Sequence, residues 1–226
     1  MQKRIAIYGD SWACGEWVGD ALKTKTHIEP HTNYIAKYLS ENNFDVSTYG
    51  IPGGSNMETY QKIRSPLTGI DNFDIGIVIV TEPFRDFYMP HIKYNKQKSF
   101  NTNCEFIITS FLTFLEKYKH KIILVNGLHE LEKQKGFIAH LSWCKTLVPN
   151  ENWPRYYAYG PNINDFIDQI DKNSVLYDID ENIQKQELFY NYLIQYREYF
   201  FPDGIHPNKK AQQILVQKIL EILDGR

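Results

Sequence analysis

Short apolar runs alternate along this chain with longer segments of helical period, and that alternation does most to restrict the folds open to it. It is the pattern of a βα chain whose mostly parallel sheet is covered by helices on both faces. The runs Lys3–Tyr8, Asp45–Tyr49, Ile75–Val80, Lys121–Val125 and Val175–Tyr177 predict a sheet of five strands, with Ile75–Val80 the most hydrophobic. Helical segments are expected at about Thr32–Asn42, Met57–Ile63, Glu105–Tyr118 and Asn162–Asp171. The chain closes on Lys209–Asp224, where Ala211, Ile214, Leu215, Ile219 and Ile222 make the apolar stripe of a helix packed on a sheet. A length of 226 residues suits one domain spanning the chain. Two stretches interrupt the alternation, Tyr88–Asn103 and Glu130–Gly160, and both are expected as loop insertions.

Charge and cysteine usage remove several classes of function. A net charge of −2 provides no global basic field, so a nucleic-acid partner is not expected. Cys14, Cys104 and Cys144 are odd in number and widely spaced, which favours a reducing compartment over a disulfide framework or zinc knuckle. The apolar stretch Ile5–Tyr8 is too short for a signal peptide or a membrane span, so the expected location is cytoplasmic. Phosphate-cradling glycine loops of the GxxxxGK[ST] and GxGxxG types are absent, and no cofactor is expected.

Two short motifs carry the chemistry. In Ile5-Ala6-Ile7-Tyr8-Gly9-Asp10-Ser11-Trp12 an apolar strand runs into a Gly-Asp-Ser turn, placing a hydroxyl at the carboxyl edge of a parallel sheet, where ligand chemistry concentrates. Such a serine becomes a nucleophile only if a base takes its proton. Alone, the tripeptide suits a plain tight turn better, since Gly, Asp and Ser are the common turn residues. Near the other end, Asp203-Gly204-Ile205-His206-Pro207-Asn208 precedes the terminal helix. The three-residue spacing lets Asp203 hold one ring nitrogen of His206 while the other faces a hydroxyl. A turn aspartate and a surface histidine before a capped helix would give the same string.

A serine ending the first strand and an Asp-x-x-His just before the last helix together resemble the GDSL, or SGNH, hydrolase family, whose first and last motif blocks Gly9-Asp10-Ser11 and Asp203-Gly204-Ile205-His206-Pro207 match. The resemblance implies a flavodoxin-like three-layer α/β/α fold. It implies a triad of Ser11, His206 and Asp203, and ester hydrolysis or acyl transfer on a lipid, carbohydrate or other small ester. It further implies oxyanion donors from the Ser11 amide and from Gly53 in Tyr49-Gly50-Ile51-Pro52-Gly53-Gly54-Ser55-Asn56, with Gly54 its neighbour. The family's third donor is an asparagine in a Gly-x-Asn-Asp block after the third strand. Here that strand runs into Thr81-Glu82-Pro83-Phe84-Arg85-Asp86, which contains none. Arg85, Asn126 after the fourth strand and, behind them, Thr81 are the candidate substitutes, since an ionised Glu82 only accepts.

Other residues are weighed against this site. Trp12, Glu82 and Trp153 are expected to meet the substrate. The aromatic group Trp143, Trp153, Tyr156, Tyr157 and Tyr159 either stacks on sugar rings, closes over the serine, or forms the core of its own insertion. His27 and His31 stand four apart, but Pro30 argues against one helix presenting both to a metal. Cys14 has no neighbour in sequence that would lower its thiol pKa, so packing is its expected role. Two rival functions use the same residues: an inert binding module of this fold, and an acyltransferase. Oligomeric state has no signature in the sequence.

Overall fold

Four of the five expected runs, Lys3–Tyr8, Asp45–Tyr49, Ile75–Val80 and Lys121–Val125, form strands within a residue or two of their expected bounds. The computed structural model describes residues 2–18, 29–81, 83, 86, 100–127, 131–149, 191, 194–200 and 206–225. In chain order these give β1 (Arg4–Gly9), a 3-10 turn (Ser11–Ala13), β2 (Glu16–Val18), β3 (Glu29–Thr32), α1 (Tyr34–Glu41), β4 (Asp45–Gly50) and α2 (Asn56–Arg64). There follow β5 (Ile75–Val80), α3 (Phe100–Leu115), β6 (Ile122–Asn126), β7 (Ala139–Ser142), α4 (Trp143–Leu147), α5 (Arg197–Phe200) and α6 (Lys209–Asp224).

Five strands make one sheet in the order β4-β1-β5-β6-β7, and every pairing in it is parallel. Counting sheet strands alone, the order is 2-1-3-4-5, the flavodoxin-like winding. Because β1, β5 and β6 are buried on both faces, alternate residues serve two separate cores. Ile5 and Ile7 of β1, with Ile75, Ile77 and Ile79 of β5, pack against α1, α4, α5 and α6. Ala6 and Tyr8 of β1, with Val78 and Val80, pack against α2 and α3. The result is three layers, α/β/α. A separate antiparallel pair, β2 with β3, holds His31 in extended backbone rather than helix.

One strand of the sheet was not expected. It is β7, inside the stretch Glu130–Gly160 expected to be an insertion, and it pairs with β6 through Ile123 to Ala139 and Asn126 to Ser142. All four of its residues are only half-buried, and it is the last strand of the sheet among the described residues, so Ala-His-Leu-Ser has no continuous apolar run to advertise it. Val175–Tyr177 and Asn162–Asp171, expected as a strand and a helix, lie outside the described residues. No helix among the described residues is long and apolar enough to cross a membrane.

The winding decides where loops from different strands can meet. Leaving β1 the chain moves one way to β4, and leaving β4 it crosses back to β5, so a crevice opens at the carboxyl ends of β1 and β5. Ser11 follows β1 and Thr81 follows β5, one on each side of it.

Candidate active site

The turn carrying Ser11 is made by its neighbours. Gly9 sits at φ +149°, and a Cβ there would stand 2.7 Å from the Ile79 carbonyl oxygen and 2.9 Å from its Cβ. Only glycine passes that close to β5. Asp10 then caps the 3-10 turn, its Oδ1 accepting from the Trp12 amide at 3.0 Å. Its Oδ2 accepts from the Thr81 hydroxyl at 2.7 Å, across the crevice between β1 and β5. Asp10 and Ser11 are 1% and 3% exposed. Asp10 is therefore the brace of the serine turn, and the bond to Thr81 is short because a hydroxyl meets a carboxylate.

The glycine loop after β4 is a tight turn. Ile51 reaches back to the Gly9 carbonyl at 3.0 Å, and the Gly54 amide closes on the Ile51 carbonyl at 2.8 Å. Pro52 followed by Gly53 at φ +67° is the signature of a type II turn, whose third residue must adopt positive φ. Gly53 is exposed, and among the described residues nothing beyond its chain neighbours stands within 4 Å of where its Cβ would be. Ser55 next caps α2 in a full capping box with Glu58, its amide donating to Glu58 Oε2 at 2.9 Å.

The loop after β5 is fastened to α2 by a residue that motif reasoning passes over. Asn56 Oδ1 accepts from the Thr81 amide at 3.1 Å, and its Nδ2 donates to the Thr81 carbonyl at 3.0 Å and to Asp86 Oδ2 at 3.3 Å. Asp86 Oδ1 in turn takes the Met57 amide at 2.8 Å. Burial pushes the Asp86 carboxyl up to about 6, outweighing the Met57 amide and the Ser55 and Asn56 hydrogen bonds that pull it down. Asp10, Thr81, Asn56 and Asp86 thus form one hydrogen-bonded chain along the carboxyl edge.

That chain bears on the missing third donor. The Thr81 hydroxyl is used on Asp10. Asn126, at the end of β6, donates its amide to the Leu131 carbonyl at 3.3 Å, and its Oδ1 lies 2.7 Å from His140 Nε2. His140 Nδ1 accepts from the Gln134 amide at 2.7 Å, so the proton of a neutral ring sits on Nε2 and points at Asn126. Burial, with Lys133 nearby, lowers the His140 pKa to about 4. Asn126 accordingly serves to hold the β6–β7 connection. Glu82 and Arg85 lie outside the described residues, as do Asp203 and Trp153.

His206 is partly buried just ahead of α6. Asn208 caps that helix by accepting from the Ala211 amide at 3.2 Å. The segment is joined to the serine turn through two polar side chains. Gln212 Nε2 donates to the Pro207 carbonyl at 2.8 Å, and its Oε1 accepts from the Tyr34 and Ile35 amides at 3.0 and 3.3 Å. Asn33, the cap of α1, donates to the Ala13 carbonyl at 2.8 Å. Neither residue belongs to a motif; their only signal in the sequence is a polar residue where a helix start or an apolar stripe would otherwise stand.

Two expectations about side chains change. Trp12, expected to meet substrate, is fully buried in the core, edge-on to Trp143 at 5.4 Å and against Phe200 at 5.9 Å. Its turn is a 3-10 helix, which sends successive side chains in different directions, so adjacency to Ser11 does not put the indole in the crevice. Trp143 is likewise a buried core residue, its indole donating to the Ala211 carbonyl at 3.2 Å. Cys14 packs against Gly50, and burial pushes its thiol up to about 12, which makes it a poor nucleophile. Elsewhere, a mostly apolar cavity of about 560 Å³ opens between α2 and α3, lined by Met57, Tyr60, Phe106, Phe111, Phe114 and Lys117.

No protein-family model and no curated protein matches the chain. Among solved structures it is similar to a GDSL-like lipase from Bacteroides thetaiotaomicron, at 12% identity and a TM-score of 0.44, covering 99% of this chain and 89% of that one. It is similar to an acetylxylan esterase from Geobacillus stearothermophilus, solved as a catalytic mutant, at 16% identity and a TM-score of 0.43, covering 97% and 93%. It is also similar to a lipase/acylhydrolase from Enterococcus faecalis, at 16% identity and a TM-score of 0.44, over 100% of this chain and 97% of that one.

Proposed function

We propose that the chain is a serine ester hydrolase of the SGNH type, with Ser11 as nucleophile, His206 as base and Asp203 as the residue that orients it. The observation that supports this reading best is the seat of Ser11. It stands at the carboxyl end of β1, on the crevice between β1 and β5, in a turn braced by Asp10 and Thr81. In the proposed reaction Ser11 Oγ attacks the acyl carbon while His206 takes its proton. The alcohol leaves with that proton, and water then resolves the acyl-enzyme by the same route. The Ser11 and Gly53 amides receive the developing oxyanion, a contribution of about 3 kcal/mol per donor in such enzymes. Arg85 is the first candidate for a third donor, ahead of Asn126, whose amide already has the Leu131 carbonyl.

The test is turnover of an activated short-chain ester, with fluorophosphonate labelling, on wild type and Ser11→Ala. Wild type should turn over and label once per chain, and the variant should do neither. Equal turnover by both would sink the assignment. The strand-end Thr81-Glu82-Pro83 sequence, in place of a block with asparagine, favours a second reading as an inert binding module. Absence of labelling in folded wild type would support that reading. An acyltransferase would label as well, and is distinguished by an ester product when an alcohol or sugar acceptor is supplied.

A further inference from the structure

We infer that Gln212 is a positioning residue for His206, holding the carbonyl of Pro207, the residue after the base, to the same turn of α1 that steadies the nucleophile. This rests on the reading of Ser11 and His206 given above.

Gln212 is fully buried in the apolar stripe of α6, where leucine or methionine would pack without needing partners. A buried amide is stable there only if its polar atoms are used. They are used on two different pieces of chain. Its oxygen takes the Tyr34 and Ile35 amides, two of the donors that the start of any helix leaves open. Its nitrogen donates to the Pro207 carbonyl. Proline has its φ already fixed, so anchoring its carbonyl leaves the preceding residue, His206, few ways to move.

A second anchor acts on the other side of Pro207. The Asn208 amide donates to the Tyr199 carbonyl and its side chain to the Glu198 carbonyl, both at 2.8 Å. On α1, meanwhile, Asn33 accepts the Ala36 amide at 3.0 Å with one atom and reaches the Ala13 carbonyl with the other. Ala13 ends the turn that Ser11 begins. The first turn of α1 is therefore a common post: Asn33 ties it to the serine turn and Gln212 ties it to Pro207, which follows the histidine. Residues far apart in sequence are brought into one frame, and an acyl-transfer pair needs such a frame because small misplacements slow reaction steeply.

A purely structural role would also cost stability on substitution, so the test separates the two. Gln212→Met removes both ties and keeps the side chain's length. Gln212→Glu, assayed near pH 8, keeps an acceptor for the α1 amides and loses the donor to Pro207. The comparison variant Val216→Ala destabilises the same helix from its core. We expect kcat on an activated ester to fall at least tenfold in both Gln212 variants with KM within about threefold of wild type. Fluorophosphonate labelling of Ser11 should slow by the same factor, while Val216→Ala labels at the wild-type rate. Folded Gln212→Glu that labels at the wild-type rate would overturn the inference, even if Gln212→Met fails to fold. If wild type itself does not label, the reading of Ser11 fails instead.

Discussion

Replacing Thr81 by valine removes a single hydroxyl from the carboxyl edge while keeping its shape, so it isolates the brace between β5 and the serine turn. The hydroxyl stands 2.7 Å from Asp10 Oδ2, and both residues are about 1% exposed. A hydrogen bond to a charged group contributes about 1.5–3 kcal/mol, and removing the donor also leaves that carboxylate oxygen with less to compensate its burial. For a chain of this size each kcal/mol is worth about 2–4 °C, so the melting temperature of Thr81→Val should fall by about 3 to 12 °C. Thr81→Ser keeps the hydroxyl and loses one methyl, and should recover at least half of that loss. The assay is thermal unfolding followed by circular dichroism near pH 7.

The same bond has a functional consequence if Ser11 is the nucleophile. Asp10 holds the Trp12 amide with its other oxygen, so freeing one oxygen lets the carboxylate, and the turn it caps, shift by a fraction of an ångström. Well below the melting temperature, Thr81→Val should therefore label with fluorophosphonate about 10- to 100-fold more slowly, and Thr81→Ser close to normally. A Thr81→Val protein that melts within 1 °C of wild type would refute the reasoning about the brace. One that melts lower but labels normally would leave the brace intact and detach it from the chemistry.

Gly9→Ala should cost about 2–5 kcal/mol in urea unfolding at unchanged m, from backbone strain plus a Cβ forced against the Ile79 carbonyl; a loss under about 0.5 kcal/mol would contradict the close approach. Because the folded His140 pKa is lowered from 6.5 to about 4, the unfolded chain binds the proton first as pH falls. Allowing for solvent screening of a half-exposed ring, the His140 contribution should then drop by about 1–2 kcal/mol between pH 6.5 and 4, so His140→Gln should gain on wild type by that amount in unfolding measured across the range. Asp86 acts with the opposite sign: its raised pKa, about 6 against 3.8, means the folded state holds the proton more tightly, so its contribution is present at low pH and lost as pH rises to 6. Asp86→Asn should gain on wild type by up to about 3 kcal/mol between pH 4 and 6, and a constant difference across that window would contradict it.

How much of this was readable from the chain depends on the range of the interaction that fixes each part. β1, β5 and β6 were legible because a strand buried on both faces must be apolar throughout, and α6 because its stripe repeats within a single helix; β4, at the sheet's edge among the described residues and with no fully buried residue, was legible from its β-branched and aromatic run Val46-Ser47-Thr48-Tyr49. β7 was not, since its residues stay half-exposed and Ala-His-Leu-Ser carries no β-branched residue, Phe, Tyr or Trp to mark a strand. In the site, Gly9 and Gly53 were legible as turn residues, because positive φ is a local demand that only glycine meets cheaply. The partners of the serine turn were not: Thr81 lies 71 residues from Asp10, Asn56 lies 25 from Thr81, and Gln212 lies 178 from Tyr34. No spacing rule links such positions, since the sheet's winding alone decides that they meet.

The chemistry of those distant partners follows from where loops must stop. At the carboxyl edge the strand ladder ends, and backbone groups such as the Thr81 amide, the Ala13 carbonyl and the first amides of α1 and α2 lose their regular partners while remaining buried. Apolar side chains cannot satisfy them. Side chains with both a donor and an acceptor can, and each such amide here spans two elements: Asn56 joins α2 to the β5 loop, Asn33 joins α1 to the serine turn, and Gln212 joins α6 to α1. An amide used twice in this way fixes two loops relative to each other, which one hydrophobic contact does not, because dispersion has no preferred direction. The buried amides therefore mark the loops whose relative positions are held most closely, and those are the loops carrying Ser11, Thr81 and His206.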